Sequence, residues 1–555
     1  MAKYILMGCF SLIRIVLFVF LLLWNYSLYG QANNSQKFKV EFSHKGPLIW
    51  NVADNMNMWD YSQTWHTEIE KEANDYFTRH LPFVRYIQLM TAAGGNEQRD
   101  LFVSPLDTTI KDDYYFFPLT RACGNILRQG LIPHIKLGNV PLKYTKKPEI
   151  SSKFGVNKCP PYDYTLWHAY IKAMTQSLVD TFGIESVRTW RFGVITEYEN
   201  KDWFSVENDP EKTRDAYFYL YDYTVDALEQ ILGKQVCVGA HSMTVSDGLW
   251  DERELVSHCA RGKNRCTGKT GTRLCFLAAS YYDIRPGVAA KRTLPETINI
   301  LRTSAIKEGL DHLFYGIDEG RILSGTDGKP IGPRAVGFTW QAAYDARMYH
   351  TMLDENIDYF SHWDYTTNGV CSGIPSVSAQ TAGLFYRMAG SIRLPVENPV
   401  VGASYEEKTG AIAAFNKEQD RLYLLFYAYS DSLSRKGTRD IECEVSGLVT
   451  KSRKVKSIRT LVSDDSNFFD EWVADWEKIG LTEKDFGWSS SSFVIKPPTL
   501  SGTSHLTAFR DKQSFYQSCA MLQPVDGILA LENGSLKIRT TIPIHGVLLY
   551  EIHLY

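Results

Sequence analysis

The sequence predicts an α/β protein, a (β/α)8 TIM barrel followed by a C-terminal antiparallel β-sandwich domain. Through residues 33–391, apolar runs typical of buried strands alternate with helical segments about eight times, the number that closes a barrel. From residue 392 to residue 555, strand-like runs follow one another closely, as in a sandwich. An open doubly wound sheet is the alternative for the first part, but no glycine-rich phosphate fingerprint follows its first predicted strand.

Each predicted barrel strand is a short run of β-branched, aromatic and aliphatic residues that ends at polar residues or glycine. Little polar alternation within a run indicates a strand that is covered on both faces, as the strands of a parallel sheet are. The runs are Leu48–Val52, Phe83–Met90, Leu131–Leu137, Arg188–Glu197, Val236–Ala240, Leu274–Tyr282, Leu313–Ile317 and Ile357–Asp364.

The segments between these runs have the apolar spacing of amphipathic helices. Proline and glycine mark several of their ends: Pro118 opens one helix, and Gly183 and Gly309 close two others. The predicted helices are Thr67–His80, Leu119–Gln129, Tyr164–Phe182, Glu211–Leu232, Trp250–Ala260, Pro295–Glu308, Phe338–Leu353 and Ser378–Ala389.

Residues 392–555 carry strand-like runs separated by turn residues, which favours a second domain of β type. Asn467–Trp488 departs from this pattern, because its acidic and aromatic residues have helical spacing, and we interpret it as an insertion. The runs are Ala411–Phe415, Leu422–Tyr429, Ile441–Val445, Val455–Leu461, Leu536–Ile542 and Val547–Tyr555.

The first 32 residues have the pattern of a secretory signal peptide. Lys3 precedes an apolar run, Ile15–Trp24 is wholly apolar, and Gly30–Ala32 offers small residues for cleavage. A transmembrane anchor needs about 20 uninterrupted apolar residues, and Arg14 leaves too short a stretch after it. We therefore expect a secreted or periplasmic protein with no membrane attachment after cleavage.

Net charge and cysteine content indicate which binding partners the protein can have. The net charge is only -3 and no basic block is visible, so the sequence gives no support to a nucleic-acid partner. Cys259, Cys266 and Cys275 lie close together in the sequence, which favours one local disulfide in an oxidising compartment. Zinc, with His258 nearby, is the alternative, but the spacings match no zinc signature. We predict neither a metal nor a cofactor.

Two glutamates stand at the ends of predicted strands, Glu197 after the fourth and Glu319 after the seventh. The carboxyl ends of barrel strands are where catalytic groups collect, and strands four and seven face each other across the mouth. Two carboxyl groups on opposite sides of a sugar can cleave a glycosidic bond without a cofactor. For one glutamate alone, a solvated loop residue is an equally good interpretation.

The fourth predicted strand and the residues after it contain Phe192, then Thr196-Glu197-Tyr198-Glu199, then Asp202 and Phe204. This segment resembles the acid/base segment of glycoside hydrolase family 39, which runs Phe, several residues, Asn-Glu-Pro-Asp, two residues, Asp-Phe. That family belongs to the clan A glycoside hydrolases and includes β-xylosidases and α-L-iduronidases. The resemblance implies that Glu197 is the acid/base. Glu199 is the alternative, and the register of the segment favours Glu197.

The seventh strand is similar to the iduronidase pattern of Tyr followed by Asp-Glu, with Tyr315 before Asp318-Glu319. This resemblance implies that Glu319 is the nucleophile, and that Tyr282 is the aromatic residue that contacts the nucleophile. Two residues depart from the family: Thr196 replaces the Asn that binds the sugar 2-hydroxyl, and Tyr198 replaces Pro.

Other polar and aromatic residues near predicted strand ends are candidates for binding the sugar. Arg85 loosely matches a clan A arginine position, and His241 and Trp363 end the fifth and eighth strands. Each could also be a packing residue. With Thr196 and Tyr282, they form the predicted substrate-binding set.

The prediction is a secreted retaining exo-glycosidase that removes a terminal pentose, galactose or uronic acid residue by double displacement. A retaining mechanism requires the two carboxyl groups about 5 to 5.5 Å apart, with Glu197 protonated at the start. The alternative is a non-catalytic carbohydrate-binding protein on a glycosidase-like barrel, which the replacement at Thr196 suggests.

Overall fold

The computed structural model describes residues 35–58, 78–243, 247–285, 288–289, 291–322, 339–362, 374–397, 407–432, 434–448, 452–480 and 511–554. Several predictions lie outside these residues: the signal peptide, Trp363, Trp488 and most of the helix proposed for Thr67–His80. No helix in the described ranges is both long enough and apolar enough to cross a membrane.

Eight parallel strands form a closed barrel, as predicted. Each strand pairs with the next, and the last pairs with the first, so the described barrel has no free edge between these strands. Their order around the barrel is β2 (Asn55–Met58), β3 (Tyr86–Leu89), β4 (Ile132–Leu137), β5 (Arg191–Val194), β6 (Cys237–Ser242), β7 (Phe276–Arg285), β9 (Phe314–Ile322) and β10 (Tyr359–His362). A short strand, β8 (Val288–Ala289), lies antiparallel against the extended end of β7.

Helices surround the strands close to where the sequence predicts them. Asp209 caps the longest described helix by accepting a hydrogen bond from the Lys212 amide, and Gly233 ends that helix with a φ of 79°. The helices of this domain are α1 (Phe117–Arg128), α2 (Tyr164–Phe182), α3 (Ile184–Val187), α4 (Pro210–Leu232), α5 (Arg253–Arg261), α6 (Leu294–Lys307), α7 (Trp340–Asp354) and α8 (Val377–Met388).

The first barrel strand differs from the prediction. The run Leu48–Val52 is not a strand, and Leu48 is exposed, whereas β2 is the Asn-Met-Asn-Met segment that follows. Asn55 and Asn57 are fully or almost fully buried, and Asn57 hydrogen bonds inside the barrel. Because the Asn side chains of this strand are buried in the barrel, the segment lacks the apolar pattern from which a strand would be predicted.

The second domain is a sandwich whose two layers share strand β17. One layer contains the pairs around β13, β14, β19 and β16, and the other contains β18 and β15. Phe38 and Phe426 from opposite layers lie 5.9 Å apart between ring centroids, within one apolar core. The strands are β11 (Ile392–Leu394), β12 (Val396–Glu397), β13 (Glu407–Asn416), β14 (Arg421–Ser430), β15 (Thr438–Ser446), β16 (Lys454–Val462), β17 (Val525–Glu532), β18 (Ser535–Pro543) and β19 (Val547–His553), with helices α9 (Phe469–Lys478) and α10 (Gln513–Cys519).

The first described strand, β1 (Gln36–Glu41), belongs to the sandwich, although the sequence analysis assigns it to the barrel unit of residues 33–391. It runs parallel to β15 and antiparallel to β12. Phe38 and Val40 point into the sandwich core, as the alternation of the segment requires. The other described strands of the sandwich, β11–β19, lie between residues 392 and 553.

The disulfide also differs from the expected local pairing. Cys275 is bonded to Cys237, while Cys259 and Cys266 are free thiols. Cys237 begins β6 and Cys275 directly precedes β7, and these neighbouring strands bring the two sulfur atoms together. The pairing of strands β6 and β7 therefore determines which two cysteines form the disulfide, whereas closeness in the sequence does not.

Candidate active site

The barrel lumen is filled by side chains from alternate positions of each strand. Gly193 and Gly316 leave space for large neighbours, because a Cβ atom at either glycine would approach Lys136 or the Tyr359 ring to within 2.6 Å. Phe276, Ala278 and Tyr359 form an apolar cluster. Asp318 and Glu319 lie toward the carboxyl end of the barrel strands, where catalytic groups collect in such barrels.

A β-bulge brings Glu319 into the lumen. Pairing between β7 and β9 shifts by one residue, so that Ala279 lies opposite Ile317 and Ser280 lies opposite Glu319, leaving Asp318 as the extra residue. Both Asp318 and Glu319 contact residues inside the barrel, although adjacent residues of a regular strand point to opposite faces. The bulge thus places two consecutive carboxyl groups on the same side.

Glu197 lies just beyond β5, where the backbone leaves the regular strand conformation. Ile195 and Glu197 have φ angles of 58° and 46°, in the left-handed region that costs residues other than glycine on the order of 1–3 kcal/mol. Asn200 fixes the side chain by donating a hydrogen bond of 2.6 Å to Glu197 Oε2. Such strained positions concentrate at functional sites, where the surrounding structure holds them.

Ser280 joins the two glutamates. Its hydroxyl lies 2.6 Å from Glu197 Oε1, 3.1 Å from Glu319 Oε1 and 2.9 Å from His241 Nε2. A hydroxyl has one proton, which it can give to only one of these partners at a time. Ser280 can therefore stabilise either carboxylate as the charge moves between them.

The two carboxyl groups form a buried pair. Glu197, His241 and Glu319 each offer an atom within 4.8 Å of the other two, and the exposed fractions of the glutamates are 5% and 7%. The two carboxyl groups are thus close enough to affect each other's ionisation. Burial raises the pKa of Glu319 well above its ordinary value, and Glu197 raises it further.

A buried ion pair lies beside the glutamates. Lys136 Nζ bonds to Asp318, whose other carboxylate oxygen accepts a 2.7 Å hydrogen bond from the Tyr359 hydroxyl. Burial lowers the pKa of Lys136, and Asp318 acts in the opposite direction. The Lys136 charge lowers the pKa of Glu319, against the effect of burial, and so favours its ionised form.

Two amide side chains, those of Asn57 and Gln88, stabilise the bulge by hydrogen bonds. The Asp318 carbonyl accepts hydrogen bonds from Asn57 Nδ2 at 2.8 Å and from Gln88 Nε2 at 3.0 Å. Gln88 also donates to Asn57 Oδ1 at 3.0 Å, and Ser361 bonds to the same oxygen. Strands β2, β3 and β10 therefore support the irregular part of β9.

The structure brings together Glu197, Glu319 and His241 from the predicted set. Tyr282 is half-buried and lies two residues beyond Ser280 on β7, on the same face of the strand. The hydroxyl of Thr196 is buried and donates to the Met90 carbonyl at 3.3 Å. Its single proton is thus already bound to the backbone.

Arg85 and Glu199 lie outside the cluster. Arg85 is exposed and precedes β3, at the opposite end of the barrel, because the strand begins later than predicted. Glu199 is buried and accepts hydrogen bonds from Ser242 and from the Met243 amide, so it fixes the chain that follows β6. Burial raises the pKa of Glu199 to about 8.

Sequence reasoning missed Ser280. The residue stands in the run Ala-Ala-Ser-Tyr-Tyr, where one serine among small and aromatic residues gives no signal. Ser280 stands two residues before Tyr282, and alternate residues of a strand share a face. This spacing could have predicted that Ser280 lies on the same face as Tyr282. Lys136 lies near the end of the predicted strand Leu131–Leu137, but its pairing with Asp318 depends on the bulge.

Part of the sequence is similar to a known family of enzymes. Residues 100–300 match the family model described as glycosyl hydrolases family 39, a range that includes Glu197 and ends before Glu319. A β-xylosidase from Geobacillus stearothermophilus is 26% identical over 273 residues, which span 47% of this chain and 50% of that protein. The chain thus resembles family 39 in sequence and aligns with about half the length of this curated relative.

Solved structures show the same fold over nearly the whole chain. A monomeric β-xylosidase from Caulobacter crescentus CB15 has a TM-score of 0.62 at 15% identity, covering 94% of this chain and 99% of that one. A bacterial orthologue of human α-L-iduronidase has a TM-score of 0.63 at 14% identity, covering 94% and 84%. The barrel and sandwich together therefore match these enzymes in architecture.

Proposed function

We propose that this protein is a retaining glycoside hydrolase in which Glu319 is the nucleophile and Glu197 is the general acid and base. The observation that carries the proposal is the buried pair of carboxyl groups at the mouth of a barrel with this fold. An oxygen of one carboxyl group lies within 4.8 Å of an oxygen of the other. This closeness supports the separation of about 5–5.5 Å found in retaining enzymes over the roughly 6.5–9.5 Å of inverting ones.

In the first step, Glu197 gives its proton to the glycosidic oxygen while a Glu319 oxygen bonds to the anomeric carbon and the aglycone leaves. Glu319 must be ionised for this attack. The Ser280 hydroxyl and the Lys136 charge both lower the pKa of Glu319 and so favour that form, against the effects of burial and of Glu197. In the second step, Glu197 takes a proton from water, whose oxygen displaces Glu319 and leaves the sugar with its original configuration.

The finer features of this proposal come from the resemblance and from the N-terminal sequence. We infer exo action on a terminal sugar, and secretion directed by residues 1–32. A pentose and a uronic acid are the first candidates, because the relatives are a β-xylosidase and an α-L-iduronidase orthologue. Galactose is the third candidate sugar. His241, Tyr282, Thr196 and Trp363 remain the proposed sugar-binding residues.

The test is a panel of nitrophenyl glycosides and natural oligosaccharides, assayed for released monosaccharide. Wild-type protein should cleave at least one class, and Glu319→Gln should cleave none. Glu185→Gln, a change at an exposed glutamate, is the matched control and should retain full activity. Proton NMR of the first product formed should show the anomer of the substrate, and the opposite anomer would overturn the retaining mechanism.

A non-catalytic carbohydrate-binding protein is the second candidate, favoured by one observation. Thr196 stands where the family has Asn, and its hydroxyl proton is bound to the Met90 carbonyl. Calorimetry on the same sugars separates the two functions. Binding without cleavage across the whole panel would support the second candidate, and product release that depends on Glu319 would exclude it.

A further inference from the structure

A second cluster of chemically reactive side chains lies on the helical wall outside the barrel strands. His168 on α2, Asp226 on α4 and Cys266, in the segment that follows α5, each offer an atom within 4.8 Å of the other two. The side chains of His168 and Asp226 are 18% and 19% exposed. An ion from solvent could therefore reach a site that is otherwise shielded.

Asp226 lies between the other two groups. His168 Nε2 lies 2.8 Å from Asp226 Oδ2, and the Cys266 sulfur lies within 4.8 Å of a ligand atom of each of these residues. Gln230, one turn further along α4, donates to Asp226 Oδ2 at 2.7 Å, and Lys172 donates to Gln230 Oε1 at 2.9 Å. The carboxylate is thus oriented by a second layer of contacts, as metal-binding carboxylates are.

Backbone contacts fix the position of Cys266. Asp222, one turn before Asp226 on α4, accepts hydrogen bonds from the Arg265 amide at 2.6 Å and from the Thr272 hydroxyl at 2.5 Å. Asn264 Oδ1 accepts from the Cys266 amide at 2.9 Å. The loop is therefore held against α4 on both sides of the cysteine, and the thiol faces the histidine and the carboxylate without rearrangement.

We propose that His168, Asp226 and Cys266 bind a Zn²⁺ ion, with water as the fourth ligand. Imidazole nitrogen, thiolate sulfur and carboxylate oxygen are the donors that zinc accepts, usually four in a tetrahedron. On binding, Cys266 releases its proton to solvent, and His168 binds the ion through a ring nitrogen that carries no proton. The ion then replaces the hydrogen bond between His168 and Asp226.

Local spacing cannot reveal such a site. The sequence analysis considered zinc only among Cys259, Cys266, Cys275 and His258, whereas the three ligands come from separate parts of the chain. The site is independent of the glutamate pair, and it would tie the segment after α5 to α2 and α4. We therefore expect an effect on stability and none on hydrolysis.

The test is titration of the reduced, chelator-treated full chain with Co²⁺ and then Zn²⁺. Wild type should bind one equivalent of Co²⁺ with a thiolate-to-cobalt charge-transfer band, which Zn²⁺ displaces. Cys266→Ser should lose the band, and Gln230→Ala should weaken binding by about 10–100-fold. Cys519→Ser, at another partly buried free thiol, is the matched control and should bind as wild type does. Absence of binding to wild type, or a band that survives in Cys266→Ser, would overturn the proposal.

Melting temperature provides the second readout. Zn²⁺ should raise the melting temperature of wild type and of Cys519→Ser, because an ion that binds the folded chain stabilises it by mass action. It should leave Cys266→Ser unchanged. If that variant does not fold, His168→Gln replaces it. An equal zinc effect in wild type and in the folded ligand variant would contradict the site, as would hydrolysis that depends on the metal.

Discussion

The two ends of the barrel lumen both bury charged groups, but they do so in different ways. At the carboxyl end, Glu197 and Glu319 share one site, with a bulge and two left-handed residues around them. At the amino end, Arg191 lies 3.8 Å from the centroid of the Tyr86 ring and 4.7 Å from that of Tyr359, on regular strands. The carboxyl end therefore holds two acidic side chains on irregular backbone. The amino end holds a cationic side chain among aromatic rings.

This difference shows what separates a reactive site from a structural one. Burial raises the pKa of Asp54, near Arg191, to about 6, and the Arg191 charge acts to lower it. The amino end thus has buried charge and a perturbed carboxyl group, yet its opposite charges compensate each other. Burial alone does not distinguish a catalytic group from a structural one, whereas two carboxyl groups held together on strained backbone favour a catalytic role.

The largest effect should come from the nucleophile. Glu319→Gln should lower kcat/KM on every cleaved substrate on the order of 10⁴-fold or more, because no covalent intermediate can form. Asp54→Asn, which changes a carboxyl group at the amino end, should alter kcat/KM less than about threefold. Steady-state kinetics on one nitrophenyl glycoside measures both. Similar losses in the two variants would remove the distinction between the ends.

Glu197→Ala should cost about 10²–10⁴-fold on substrates with poor leaving groups, the usual contribution of a general acid. Nitrophenyl glycosides need less protonation and should lose less. Azide should restore part of the rate by attacking the glycosyl-enzyme, with a glycosyl azide as product. A uniform loss across leaving groups, without azide rescue, would reassign the acid to another residue such as Glu199.

Arg191→Met should act on stability. The change removes the cation that lies among the aromatic rings, so we expect the free energy of unfolding to fall by about 2 kcal/mol. Urea denaturation measures this free energy. The folded variant should keep its kcat within about threefold. A large loss of kcat with normal stability would show that the amino end takes part in catalysis.

Ser280→Ala should give the smallest effect, a fall of about 10–100-fold in kcat/KM, which corresponds to one strengthened hydrogen bond to a charged group. The serine hydroxyl lowers the pKa of Glu319, so its removal should raise that pKa. Because Glu319 must be ionised to attack, the acidic limb of the pH profile should move to higher pH. Ser304→Ala on α6 is the control. An unmoved limb would leave Ser280 a packing residue only.

Much of the barrel could be predicted because its helices and most strands have strong periodic signals. Tyr164–Phe182 is a helix with the predicted ends, and Glu197 lies just beyond strand four of the barrel, as predicted. Glu319 was expected to follow strand seven but lies within it, because that strand extends to Ile322. The failures have common physical causes. Asn55 and Asn57 face a polar lumen, so their strand lacks apolar character, and Arg85 was misplaced because β3 begins at Tyr86.

The site itself could be predicted only in outline. That Glu319 points inward depends on a one-residue shift of pairing between β7 and β9, and alternation along β9 alone would give the opposite face. Ser280 then meets both glutamates because of the same shift. Thr196 was expected to face the sugar, but its contact with the Met90 carbonyl depends on the end of a different strand. Contacts between distant segments decide these details.

Strand β1 sets a limit on when the C-terminal domain can be completed. Gln36 pairs with Ile441 of β15, so the ribosome must add about 400 residues after β1 before its parallel partner exists. At roughly 5–20 residues per second, β1 waits about 20–80 seconds for that partner while the barrel forms in between. A fragment that starts at the sandwich would expose the edge of β15 along Ile441–Ser446, which is a template for aggregation. The sandwich should therefore be produced with residues 36–41 attached to it.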